Sequence, residues 1–89
     1  MLLPVGPNPS AGTLRLAYDL AAAGRVRLGV YDVAGRLVAK VVDGTMPAGS
    51  HAASWNGADR GGRQVASGVY FVRLEAAGAS QTRRITVVR

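Results

Sequence analysis

Runs of alternating apolar and polar residues, cut at short intervals by glycine, constrain this chain more than any other feature. Leu14, Leu16, Tyr18 and Leu20 alternate with Thr13, Arg15, Ala17 and Asp19. Val26, Leu28 and Val30 alternate with Arg25, Arg27, Gly29 and Tyr31, and Tyr70, Val72 and Leu74 with Phe71, Arg73 and Glu75. Ile85 and Val87 close the series against Arg84, Thr86 and Val88. Successive side chains of a strand point to opposite faces, so a period of two marks strands with one buried and one wet face. The arginines then fall on the solvent side. Breakers such as Ala23-Gly24, Ala34-Gly35, Asp43-Gly44, Asn56-Gly57, Ser67-Gly68 and Ala77-Gly78 leave segments of about six to ten residues, the spacing of a sandwich or small barrel. The pattern predicts strands at 13–20, 25–32, 36–42, 50–55, 69–76 and 80–88, with a short edge piece at 2–5 as a seventh. Val33-Ala34-Gly35 and Ala77-Gly78 make tight hairpins. Leu20 to Ala23 is one turn of helix-friendly sequence, too short to nucleate, and reads as a loop.

A chain of 89 residues has room for one domain, spanning 1–89. The alternation assigns Leu14, Leu16, Leu28, Val30, Leu37, Val41, Trp55, Tyr70, Val72, Leu74, Ile85 and Val87 to the core. At about 1.5–3 kcal/mol for each large side chain buried, such a core only modestly exceeds the chain entropy, which points to a neighbouring domain. The sequence has no cysteine, which excludes disulfides, thiolate zinc sites and cysteine nucleophiles. No apolar run approaches the roughly 18 residues of a membrane helix. Met1-Leu2-Leu3-Pro4 lacks the basic and apolar regions of a signal peptide, so the expectation is a module of a longer chain.

Ten arginines and one lysine against five acids give a net charge of +6. Such a balance raises nucleic acid or an anionic surface as partners. The basic residues are scattered, however, and only Arg83-Arg84 are adjacent. A nucleic-acid face needs basic residues interleaved with exposed aromatics. Tyr18, Trp55 and Tyr70 are expected in the core, leaving Tyr31 and Phe71 outward beside Arg25, Arg27, Arg73, Arg83 and Arg84. A solvated arginine face is the commoner meaning of that pattern, and nucleic acid is not the expected partner.

Catalysis has little to build on. His51 is the sole histidine, and Ser50 and Ser54 have the opposite strand parity, so no nucleophile–base pair forms. Asp19, Asp32, Asp43 and Asp59 sit at strand ends or in turns, where aspartate closes the backbone through its side chain. The polar loop from Asn56 to Arg63 offers oxygen donors for a weak calcium site at Asn56 and Asp59, but it lacks the spacing of a calcium loop. No cofactor is expected.

Particular blocks carry a resemblance. They are Pro7-Asn8-Pro9-Ser10, Val30-Tyr31-Asp32-Val33-Ala34-Gly35-Arg36, Pro47-Ala48-Gly49 leading into Trp55-Asn56-Gly57, and Ser67-Gly68-Val69-Tyr70. The last is Arg83-Arg84-Ile85-Thr86-Val87-Val88-Arg89. In order and spacing the chain resembles the C-terminal type A sorting domain of the type IX secretion system, and the immunoglobulin-like domain of the flagellar hook-capping protein. Both imply an all-β, immunoglobulin-like antiparallel sandwich of about seven strands. Asn8, Pro9, Asp32, Gly35, Gly49, Trp55, Gly57, Gly68 and Tyr70 read as residues that make the fold. The sorting-domain likeness implies a non-enzymatic C-terminal module of a secreted or cell-surface protein, monomeric and attached to a cargo domain. It would be recognised by the outer-membrane translocon or anchoring machinery, with Arg83, Arg84 and Arg89 as the recognised basic residues. The hook-cap likeness implies instead a passive structural or adhesion module.

Overall fold

A computed structural model describes residues 2–5 and 13–88, so Asn8, Pro9 and Arg89 lie outside the described residues. Seven strands follow in order: β1 (Leu2–Val5), β2 (Leu14–Leu20), β3 (Gly24–Tyr31), β4 (Leu37–Met46), β5 (Gly49–Trp55), β6 (Gly68–Ala76) and β7 (Ala79–Val87). They pair antiparallel into a three-stranded sheet, β1-β2-β5, and a four-stranded sheet, β4-β3-β6-β7. This is an immunoglobulin-like sandwich. Its fourth strand stays beside the third, whereas the constant-type arrangement moves it to the opposite sheet.

The inward faces meet in one core of Leu14, Leu16, Tyr18, Val26, Leu28, Val30, Ala39, Trp55, Val72, Leu74, Ile85 and Val87. Tyr18 is buried as expected, Val26 lies on the inward face that its alternation gives it, and Ala39 was not expected there, while Leu37, Val41 and Tyr70 are only partly buried. The bulges of β4 explain why Leu37 and Val41, which share the alternation parity of Ala39, do not join it in the core. Leu28 pairs with Val42 but Gly29 with Lys40, and Val30 with Ala39 but Tyr31 with Leu37. Val41 and Val38 are thus extra residues, and each extra residue reverses the parity beyond it. Ala39 turns inward opposite Val30, and Leu37 turns outward beside Tyr31. The outward Leu37 and Tyr31 lean over Gly29, where a Cβ would stand only 3.1 Å from Leu37 Cδ1 and 3.3 Å from Tyr31 Cε1.

The expected break at Asp43-Gly44 is also overruled, since β4 runs on to Met46. Arg27 and Val26 of β3 stand opposite these two residues, so ladder pairing outweighs their poor strand propensity. One end of the sandwich carries the chain between β3 and β4 and the long crossing from β5 to β6. The other carries residues 21–23, 47–48 and 77–78. Strand β1 begins at this second end, where Leu2 pairs with Tyr18, and β7 finishes at the first, where Val87 pairs with Gly68.

Candidate recognition site

Two turns of identical construction fix the first end of the sandwich. Asp32 Oδ1 accepts the amides of Ala34 and Arg36, both at 2.9 Å. The Asp32 amide donates to the Arg36 carbonyl at 3.0 Å, and the Gly35 amide to the Asp32 carbonyl at 3.0 Å. Asp59 repeats the pattern: Oδ1 accepts the amides of Gly61 at 2.9 Å and Arg63 at 3.0 Å. Its amide donates to the Arg63 carbonyl at 2.7 Å, and Gly62 donates to the Asp59 carbonyl at 3.0 Å. The fourth residue takes a positive φ in both, 82° at Gly35 and 85° at Gly62, which glycine adopts at low cost. The shared letters are aspartate, two free positions, glycine and arginine. Both aspartates were expected to close turns, but the shared form of the two turns was not drawn from the sequence.

The carboxylates in these turns are committed to the chain itself. The Arg36 amide, aided by the Arg36 guanidinium at 3.0 Å from Oδ2, holds the Asp32 carboxyl below its usual range against a smaller opposing effect of desolvation. Asn56 Oδ1 accepts the Ala58 amide at 3.0 Å, so the two side chains weighed for calcium both point an oxygen at loop amides. The Arg60 amide donates to the Val38 carbonyl at 3.0 Å and lashes the second turn onto edge strand β4.

Of the other residues expected to make the fold, Trp55, Gly57, Gly68 and Tyr70 lie beside these turns, and Gly49 lies at the opposite end. Trp55 Nε1 donates to the Ala58 carbonyl at 2.8 Å, and its ring meets Tyr70 edge-on at 6.1 Å. The Tyr70 hydroxyl donates to the Ala66 carbonyl at 2.7 Å, the corner arrangement that pins the approach to a strand in immunoglobulin-like sandwiches. Gly57 takes φ of 80° and Gly49 φ of 119°, and Gly68, at 157°, also has a conformation unusual for a side-chain-bearing residue. His51 stacks on Tyr18 at 5.2 Å, and its Nε2 donates to the Pro47 carbonyl at 2.7 Å. Ser50 Oγ donates to Asp19 Oδ1 at 2.7 Å on the outer face of the same sheet. The hydroxyl–carboxylate pair and the imidazole therefore lie on opposite faces.

The basic residues divide by face. Arg25, Arg27, Arg73 and Arg84 line the outer face of the four-stranded sheet, with Tyr31 and Phe71 paired among them. Arg25 reaches Asp43 at 2.7 Å and Arg73 reaches Glu75 at 3.6 Å. The Arg25 hydrogen bond holds the Asp43 carboxyl below its ordinary value. Leu37, Tyr31, Phe71 and Arg84 form one register row across all four strands. Arg83 breaks the expectation of an outward arginine. It pairs with Val72 and shares the inward parity of Ile85 and Val87, but it is half-buried. Because β7 is an edge strand, its guanidinium can lie at the sandwich margin, where Nη1 donates to the Thr82 carbonyl at 3.1 Å.

A groove of about 780 Å³ opens at the second end, where the small residues of the 21–24 and 77–78 turns meet charged side chains such as Asp19, Arg25, Arg73 and Glu75. Among the described residues no group of three or more histidine and acidic side chains is placed to hold a metal, and no helix is long and apolar enough to cross a membrane.

Residues 8–80 match a family model described as the FlgD Ig-like domain. The fold superposes on PorZ of Porphyromonas gingivalis, described as an essential bacterial surface component of the type-IX secretion system. The TM-score is 0.67 over 99% of this chain at 22% identity, and the chain spans 11% of that protein. FlgD from P. aeruginosa superposes with a TM-score of 0.60 over 83% of this chain at 26% identity, and 58% of that chain is covered. The chain thus spans less than two thirds of either structure. No curated protein sequence matches it.

Proposed function

The chain belongs to the FlgD Ig-like domain family, and on that premise we propose that it is a non-catalytic sorting and attachment module. In this reading it directs a larger secreted protein through the type IX outer-membrane translocon, and the β6–β7 hairpin is the part that is read. The observation that carries the reading is the basic edge. Strand β7 borders the four-stranded sheet, bears Arg83 and Arg84, and has no acidic residue. The carboxylates elsewhere in the fold close turns or pair across the sheets, as Asp32, Asp59 and Asp43 do, which leaves them structural work rather than acid–base work. The fold of PorZ, a type-IX surface component, is compatible with an extracellular or envelope setting for this module.

The test is export. A signal peptide and a fluorescent reporter are fused ahead of residues 1–89 and expressed in a host with a type IX translocon. The expected result is reporter on the surface or in the medium, lost in a translocon mutant. Replacing Arg83, Arg84 and Arg89 by serine leaves the fold intact by circular dichroism and traps the reporter in the periplasm. Periplasmic retention of the folded wild-type fusion overturns the reading. It would favour a passive structural module of a multidomain surface or scaffold protein, the alternative supported by the likeness to FlgD at 26% identity.

A further inference from the structure

Among the described residues four strands end the two sheets, and they are not equally open. Strand β1 has four residues and includes Pro4, which has no N–H to offer a neighbour. Strand β5 has seven, and β4 has ten but is bulged twice and bonded to the 59–63 turn through the Val38 carbonyl. Strand β7 runs for nine residues without a register shift. The hairpin turn at Ala77 and Gly78, with φ of 52° and 74°, makes Ala76 and Ala79 the hydrogen-bonded pair beside a two-residue loop. Hydrogen-bonded and non-hydrogen-bonded pairs alternate from there, so the backbone groups of Ser80, Thr82 and Arg84 point away from β6. Among the described residues no strand pairs with them there, so those groups form a template for another strand.

We propose that β7 accepts an extended peptide segment with two adjacent acidic residues as a fifth strand of the β4-β3-β6-β7 sheet. The inference rests on the reading of the β6–β7 hairpin as the recognised part. Charge selects the occupant. Adjacent residues of a strand face opposite sides, and here the adjacent residues are Arg83, toward the sandwich, and Arg84, toward the outer face. An incoming strand answers both only with neighbouring carboxylates. The Arg83 guanidinium sits on the Thr82 carbonyl, one of the acceptors an added strand needs. An uncharged strand has to displace it with nothing in return, whereas an acidic side chain on the inner side gives it a new partner. A second copy of β7 is disfavoured, since antiparallel pairing about this point sets arginine against arginine.

The experiment titrates the isotope-labelled domain with the peptide Thr-Val-Thr-Val-Glu-Glu-Val-Thr-Val and with its Lys-Lys counterpart. Saturable shifts and slowed amide exchange are expected at Ser80, Thr82 and Arg84, with binding of the lysine peptide weaker by about tenfold, the sum of two cross-strand charge pairs. In Arg84→Glu the preference narrows or reverses toward the lysine peptide. Shifts centred on another surface, equal binding of the two peptides, or none at millimolar concentration would each overturn strand addition. Export of the reporter without peptide binding removes this inference and leaves the proposed function standing. Peptide binding with a trapped reporter does the reverse.

Discussion

Asp32 and Asp59 show how one side chain shapes a turn. Each carboxylate gathers two amides that would otherwise be left to water, and charge-assisted bonds of this kind are the stronger ones. For Asp32 and Asp43 the consequence depends on pH. Their carboxyls lie below the ordinary 3.8 in the folded state, so the stability they contribute is present above the unfolded value and is lost as pH falls through the folded values. Thermal midpoints measured from neutral pH into the acid range are expected to fall below about pH 4, and to fall less steeply in Asp32→Asn. For Asp59→Ala the expected outcome is faster amide exchange at Gly61 and Arg63, with the sheets unchanged. Ala77 offers the opposite case. Its φ of 52° is left-handed, a conformation that costs an alanine about 1–2 kcal/mol. Ala77→Asn, which supplies the Asn-Gly preferred by this turn, is expected to stabilise the domain by about 0.5–1 kcal/mol in urea denaturation. The first aspartate turn was legible in the sequence because a strand flanks it on each side. The second stands inside a crossing between sheets, where no alternation frames it; its aspartate and glycines mark a turn, and only the repeated letters give its form.

At the scale of the element, β4 is where alternation misleads. A pattern of two assumes one residue opposite one, and Val38 and Val41 each violate it. Plain alternation on 36–42 puts Leu37, Ala39 and Val41 on one inner face, whereas with the bulges only Ala39 of the three, 6% exposed, lies in the core. The substitution costs should follow the bulges. Ala39→Leu is expected to lose about 1–3 kcal/mol by overpacking, and Val41→Ala less than that, by equilibrium denaturation. The unbulged strands were readable almost to the residue. Their one surprise, Arg83, is inward by the same parity rule that places Ile85, a rule that the habit of assigning arginine to solvent had overridden. The edge position that makes an inward arginine tolerable belongs to sheet order, which no local pattern encodes.

For the whole molecule, a single core couples the two sheets. Leu28 is 1% exposed, and Leu28→Ala is expected to cost about 2–5 kcal/mol. That is a large share of the 5–15 kcal/mol typical of a domain, so the variant should lose both sheets in one cooperative transition by fluorescence of Trp55 and circular dichroism alike.

The placement of the terminal strands bears on how the domain responds to force. Strand β1 starts at one end of a body 37 Å long and β7 finishes at the other, in different sheets. A pull between Leu2 and Val87 acts along the strands. The rungs joining β1 to β2 and β7 to β6 are then sheared together, where a pull across the strands would unzip them one by one. Such a domain bears tension as a tether does, yielding late and all at once.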